Sequence, residues 1–362
     1  MITVRNSFDM WNKRCNFAQK SLITLFQNKE DGSLIQGIPP ENQSNKTFCY
    51  WWHAHAIDVL TDGYLRTGEK SYCQRIENVL NSVLRKNNGN IINLYYDDME
   101  WMALALLRAW ECTQRDKYKD LALILWEDIK RGWNNNMGGG IAWRKIQLDY
   151  KNTPANAPAS ILASRLYHHF KRKDDMVWAK RIYEWNHKNL TDPNTGFVWD
   201  GINRTGNGKI DKDWVFTYCQ GAMIGAALEL FRNTKEKRYR NDAIKTFHAS
   251  ISVIVKPAGG ILPDEGGGDC GLFKGIYIRY VNNLYQTIPE LKEIERLIST
   301  NAESLWEHMD HVSGRMSRGW AQKAESSVDL STQLSGIMLF EAMASLQRRG
   351  LTDAIKQKKL KQ

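Results

Sequence analysis

The sequence predicts an all-α protein built as an (α/α)6 barrel, and three observations carry that reading. Helical periodicity recurs along the chain, whereas strand-like alternation is scarce. More and less apolar helices alternate, as inner and outer layers would. Long connections rich in Gly, Asn, Asp and Trp interrupt the helices at 134–140, 191–213 and 257–271, and loops of that kind in a compact protein usually carry function.

Candidate helices fall at roughly 5–28, 48–67, 70–86, 98–113, 116–132, 155–171, 174–190, 214–233, 237–255, 271–286, 290–308 and 328–347. The run from Met102 to Trp110 is apolar nearly all round and suits an inner helix. Asp174 to Leu190 carries many charges and suits an outer layer. About six hairpins of about 60 residues each account for the whole chain as one toroid. Length alone would suggest two or three domains, but a ring of hairpins shares one continuous core. The expected organisation is a single domain over 1–350 followed by a basic tail over 351–362. No letter-for-letter repeat accompanies the architectural period.

Composition narrows the function classes. A hydrophobic content of 42% and a charged content of 25% are ordinary for a soluble globular protein. The net charge of +10 is spread along the chain and interleaved with acids. Its densest run, Lys356 to Lys361, reads as a solvated helix end, and no helix-turn-helix, zinc-finger or RNA-binding signature accompanies it. Nucleic acid is therefore not an expected partner. No apolar stretch approaches the length of a membrane span, and residues Met1 to Ser7 lack a basic-then-apolar leader pattern. The expectation is a cytoplasmic monomer with no membrane partner. Six widely spaced cysteines without a C-x-x-C pair read as reduced core thiols. The 14 tryptophans are many for this length. Their faces match the C–H faces of sugar rings, although wide gaps between helices also take Trp.

Two adjacent acids, Asp97 and Asp98, stand at the threshold of the apolar run. Like charges forced together disfavour one another's ionisation, so one pKa rises. A structural explanation exists: Asp97-x-x-Glu100 fits a capping box, with Asp98 favouring the helix dipole. A chemical explanation competes with it. Two carboxyls with separated pKa values are what glycoside hydrolysis needs, one ionised and one protonated. Neighbouring residues on a helix diverge by about 100°, so the carboxyl carbons could lie roughly 5–6 Å apart, which suits retention better than inversion.

Other chemistries fit poorly. Terpenoid synthases hold magnesium with D-D-x-x-D/E, but Trp101 occupies the fifth position here, and Asn241 to Thr246 lacks a complete companion motif. Gly266 to Gly271 satisfies G-x-G-x-x-G without the βαβ context a dinucleotide needs. No H-E-x-x-H or G-x-S-x-G pattern is present. No metal ligand set and no cofactor are expected.

At this point the residues resemble a family. Tyr96 to Trp101 resembles the Asp-Asp motif of glycoside hydrolase family 76, the endo-α-1,6-mannanases. The likeness continues in order through Met137 to Trp143, Asn156-Ala157-Pro158, Trp214 to Gly221 and Phe273 to Tyr280. It implies an (α/α)6 barrel, a carbohydrate substrate and a retaining mechanism. Asp97 would then be the nucleophile and Asp98 the general acid/base. Trp101, Trp143, Trp199, Trp214 and Tyr218 would stack on sugars, while Asn156, Gln220, Lys274 and Arg279 would bind hydroxyls. Cys219 stands where the family usually has Asn, and Ala157 where it usually has Gly. Two alternatives remain open: a glycan-binding protein on the same barrel, and a helical-barrel epimerase, which would need paired histidines facing the cleft.

Overall fold

A computed structural model describes the backbone of residues 2–360 and the side chains of residues 9–352. Its helices are α1 (Ile2–Phe26), α2 (Tyr50–Thr67), α3 (Ser71–Lys86), α4 (Tyr96–Thr113), α5 (Asp116–Lys130), α6 (Ala157–Phe170), α7 (Lys173–Leu190), α8 (Thr217–Thr234), α9 (Lys237–Ser250), α10 (Phe273–Thr287), α11 (Lys292–His308) and α12 (Leu330–Leu360). The even-numbered helices pack side by side from α2 round to α12, which returns against α2 and closes the ring. Around them, α3, α5, α7 and α9 each pack on the inner helix before them in sequence. α11 bridges α10 and α12, and α1 lies on α12. The architecture is the expected (α/α)6 barrel.

The two layers differ as their sequences require. Inner helices are buried on every side, as in the run Met99 to Leu107 of α4 and Gly221 to Leu230 of α8. Outer helices bury one stripe: α3 buries Tyr72, Cys73, Ile76, Val79, Leu80 and Val83, three or four residues apart. The ring closes tightly because glycine stands where backbones meet. A Cβ on Gly221 would lie 2.6 Å from the Tyr277 Cα, and one on Gly275 would lie 2.7 Å from the Ser335 Cα. One apolar cluster runs through helices of both layers, and its removal from water, at about 25 cal/mol per Å², is the main stabilising term.

Short strands decorate the loops. β1 (Gly37–Ile38) pairs antiparallel with β5 (Val328–Asp329), joining the loop before α2 to the one before α12. β2 (Ala142–Arg144), β3 (Gln147–Asn152) and β4 (Gly201–Ile202) form an antiparallel sheet, with Ala142 opposite Lys151 and Lys151 opposite Ile202. These strands are too short for a clear two-residue period to appear in the sequence.

Some boundaries differ from expectation. The ninth helix ends at Ser250 and continues only as a π turn over Ile251–Val255. The last helix runs to Leu360, through the segment expected as a tail. The side chains of the basic run Lys356 to Lys361 lie outside the described residues. Among the described residues no helix is long and apolar enough to cross a membrane.

Candidate active site

The groove is built at the N-terminal ends of the inner helices. Its volume is about 660 Å³, and the chain enters it again and again just before or within a helix's first turns: Phe48 to Trp51 at α2, Tyr95 to Trp101 at α4, Asn152 and Pro154 before α6, Phe216 and Tyr218 at α8, and Asp269 to Phe273 at α10. Free N–H groups and the positive ends of the helix dipoles converge there. That field favours carboxylates.

Asp97 and Asp98 lie on the floor of this groove. The helix starts two residues earlier than a capping box would require. Tyr95 is the N-cap, and Asp97 sits inside the first turn, where its Oδ1 accepts the Asp98 N–H at 3.0 Å. Glu100 does not reach back as a capping box predicts. It is fully buried, and neither of its carboxyl oxygens has a hydrogen-bond partner within standard geometry. The Asp97 Oδ2 accepts the Trp143 Nε1–H at 3.0 Å. Hairpin β2–β3 delivers this indole, fastened by a bridge between Tyr95 and Arg144. Three left-handed glycines, Gly138 to Gly140, turn the chain into it.

The electrostatics separate the two acids. Burial pushes the Asp97 carboxyl up to about 7, against its two N–H donors, and nearby Asp269 adds to the rise. Burial raises Asp98 well above the usual carboxylate range, reinforced by Asp97 and then Asp269. Among the described residues no cation lies within ion-pair distance of either acid. Of the two, Asp97 is the one that receives N–H donors, and these favour its ionised form.

The walls are aromatic. Tyr218 and Phe273 stack face to face, their centroids 3.8 Å apart and their planes 3° from parallel, while Phe216 meets Phe273 edge-on. The Tyr218 hydroxyl donates to Asp200 Oδ1 at 3.0 Å. Arg204 lies 3.7 Å over the Trp214 ring, pinned by Asp200 and by Asp211.

Of the residues singled out by sequence, the groove gathers Asp97, Asp98, Trp101, Trp143, Trp214 and Tyr218. Five others lie elsewhere. Asn156 is fully buried: it accepts the Ile141 N–H and donates to the Ile141 and Asn152 carbonyls, holding the loop that carries Trp143. Gln220, also fully buried, does the same for Val198. Lys274 donates to the Pro263 and Arg318 carbonyls, and burial lowers its pKa to about 8. Trp199 packs on Phe197, Ala249 and Ile254, with the Lys212 ammonium 4.8 Å over its ring. Arg279 binds Asp58 at 2.8 Å and Asp62 at 2.6 Å, in a network shared with Arg108 deeper in the barrel. Cys219 is buried behind the wall, its thiol 3.5 Å from Asp200, so it replaces no groove-facing group.

Sequence reasoning missed Asp200, Arg204 and Asp269, together with Trp51, Phe216 and Phe273. The signal for Asp269 in the sequence is its glycine-rich run, whose pattern by itself points to a nucleotide loop and not to a sugar groove. The epimerase alternative needed paired histidines in the cleft. His53 instead bonds the Cys49 carbonyl within the barrel wall, and His55 lies between Trp51 and Trp101.

An inner-helix ring with a carboxylate-floored, aromatic-walled groove at one end defines a glycoside hydrolase of the helical-toroid class. Comparison with known proteins makes this particular. Residues 10–354 match glycosyl hydrolase family 76. The GH76A alpha-1,6-mannanase of Salegentibacter sp. HEL1_6 is 39% identical, with a TM-score of 0.88 over 93% of this chain and 99% of that one. An inactive variant of that enzyme, carrying asparagine at two consecutive aspartates, is known in complex with alpha-1,6-mannotriose. The mannan endo-1,6-alpha-mannosidase DCW1 of Candida albicans is 22% identical over 319 residues, covering 77% of this chain and 66% of that protein. The chain belongs to glycosyl hydrolase family 76.

Proposed function

We propose that this protein hydrolyses α-1,6-mannosidic linkages in mannan or manno-oligosaccharides, with retention at the anomeric carbon. The observation that carries the reading is a half-buried acid pair that no cation among the described residues neutralises, set in an aromatic groove of sugar-binding size. In the first step Asp97 attacks the anomeric carbon, while Asp98 gives its proton to the departing glycosidic oxygen. A glycosyl ester on Asp97 results. In the second step Asp98 takes a proton from water as that water attacks the same carbon, which releases Asp97 and restores both groups. The N–H groups of Trp143 and Asp98 stabilise the Asp97 anion, and the burial of Asp98 keeps it protonated until the leaving oxygen takes the proton. Trp101, Trp143, Trp214, Tyr218 and Phe273 supply stacking faces. The substrate follows the α-1,6-mannanase from Salegentibacter, and the role of the pair is in keeping with the inactive variant altered at consecutive aspartates.

The test is product analysis after incubation with α-1,6-linked mannan and with α-1,2- and α-1,3-linked controls. Release of shorter α-1,6-oligomannosides is expected. Binding of α-1,6-mannotriose without cleavage of any of these glycans would refute the hydrolase reading and favour the glycan-binding alternative.

A further inference from the structure

The run Gly266 to Gly271 finds no nucleotide in a helical barrel, yet it places a third carboxylate in the groove. Asp269 is exposed there and lies close enough to raise the pKa of both Asp97 and Asp98. Its Oδ1 accepts the Nε1–H of Trp51 at 2.9 Å and that of Trp52 at 2.8 Å, and the Cys49 thiol lies 3.7 Å away. Among the described residues no donor reaches its Oδ2, and no cation pairs with it. The loop beneath is held as firmly: the Gly268 N–H donates to Asp329 at 2.8 Å, and the Ser331 hydroxyl donates to the Gly268 carbonyl at 2.6 Å.

Two consecutive tryptophans directing their donors onto a single oxygen is an orienting arrangement. Charge-assisted bonds of this kind fix a carboxylate's rotamer. Trp51 also faces the groove, but Trp52 is buried outside it, so its N–H serves only Asp269. An anion fixed by one oxygen, with the other open to a cleft that offers no free counter-ion among the described residues, suits an acceptor for sugar hydroxyls. We propose that Asp269 is a substrate-binding residue, its Oδ2 accepting hydroxyl hydrogens of a mannosyl unit beside Asp98, and that Trp52 is the positioning residue that aims it. This rests on the α-1,6-mannan reading of the groove.

Binding and turnover test it separately. In the Asp97→Asn/Asp98→Asn background, adding Asp269→Asn keeps an oxygen for the two indoles and removes the charge. It should weaken calorimetric binding of α-1,6-mannotriose by about tenfold or more. In the otherwise wild-type enzyme, Asp269→Asn should raise KM and move both limbs of the kcat/KM profile to lower pH, because an anion beside both acids is gone. Trp52→Phe should weaken binding a few-fold and leave the limbs in place, because the charge remains. An unchanged Kd and unchanged limbs in Asp269→Asn would overturn the assignment while the hydrolase reading stood. Wild type that binds mannotriose without cleaving mannan, with Asp269→Asn binding more weakly, would do the reverse.

Discussion

The chain holds two Asp-Asp-Met triplets, Asp97 to Met99 and Asp174 to Met176, each in the first turn of a helix. In the second, Asp174 is exposed and Asp175 is 2% exposed, bound by Arg172 at 2.7 Å and by the Trp126 indole at 3.0 Å. It ties outer helix α7 to outer helix α5. In the first, both acids face a groove and have raised pKa values, and the donors that reach the pair are two N–H groups, both on Asp97. The difference lies in layer and partner. An outer helix places its first turn beside solvent and cations, whereas an inner helix places it at the mouth of the ring, where the loops bring aromatics and further acids. One pair stabilises the fold. The other holds charge in an unfavourable setting, as catalytic groups commonly do.

Substitution should separate the two pairs most sharply in activity. Asp97→Asn and Asp98→Asn should each lower kcat on α-1,6-mannotetraose by about a thousandfold or more, while Asp174→Asn and Asp175→Asn stay within about twofold where they are folded. A loss in Asp175→Asn as deep as in Asp97→Asn would break the comparison. Stability should order the pairs the other way. Asp175→Ala leaves the Trp126 N–H and Arg172 without their acceptor and should cost about 2–3 kcal/mol in chemical denaturation. Asp174→Ala should stay within about 0.5 kcal/mol.

The pH dependence of stability sharpens the point. The Asp97 pKa is raised on folding, so its contribution to stability is complete below its unfolded value near 4 and is lost as pH rises through about 7. Asp97→Asn lacks that loss. Its melting temperature should therefore gain on wild type as pH rises from 4 to 8. A constant difference across that range would mean that the native carboxyl is not strained.

Much of the barrel was legible because burial imposes different periods on its two layers. The nearly all-apolar run of α4 and the striped α3 can be told apart by eye. The groove was legible where a residue type has few other uses, as with adjacent aspartates or Trp143 in its glycine loop. It was not legible where a polar side chain near the groove is taken up by loop backbone. Asn156 and Gln220 sit in or beside the first turns of inner helices, yet their amides satisfy buried N–H and C=O groups that no helix or strand reaches. Arg279 lies late in the second turn of α10, about 9 Å below the helix start, and there meets Asp58 and Asp62 instead of the cleft. Asp269 and Asp200 arrive from loops whose paths no local pattern encodes.

The central claim, that Asp97 is a nucleophile and Asp98 its acid/base partner, makes a stereochemical commitment. Proton NMR of the first product formed from α-1,6-mannotetraose, recorded before mutarotation, reads the new anomeric centre directly. An α-configured first product is the predicted result; a β-configured one would contradict a covalent intermediate on Asp97.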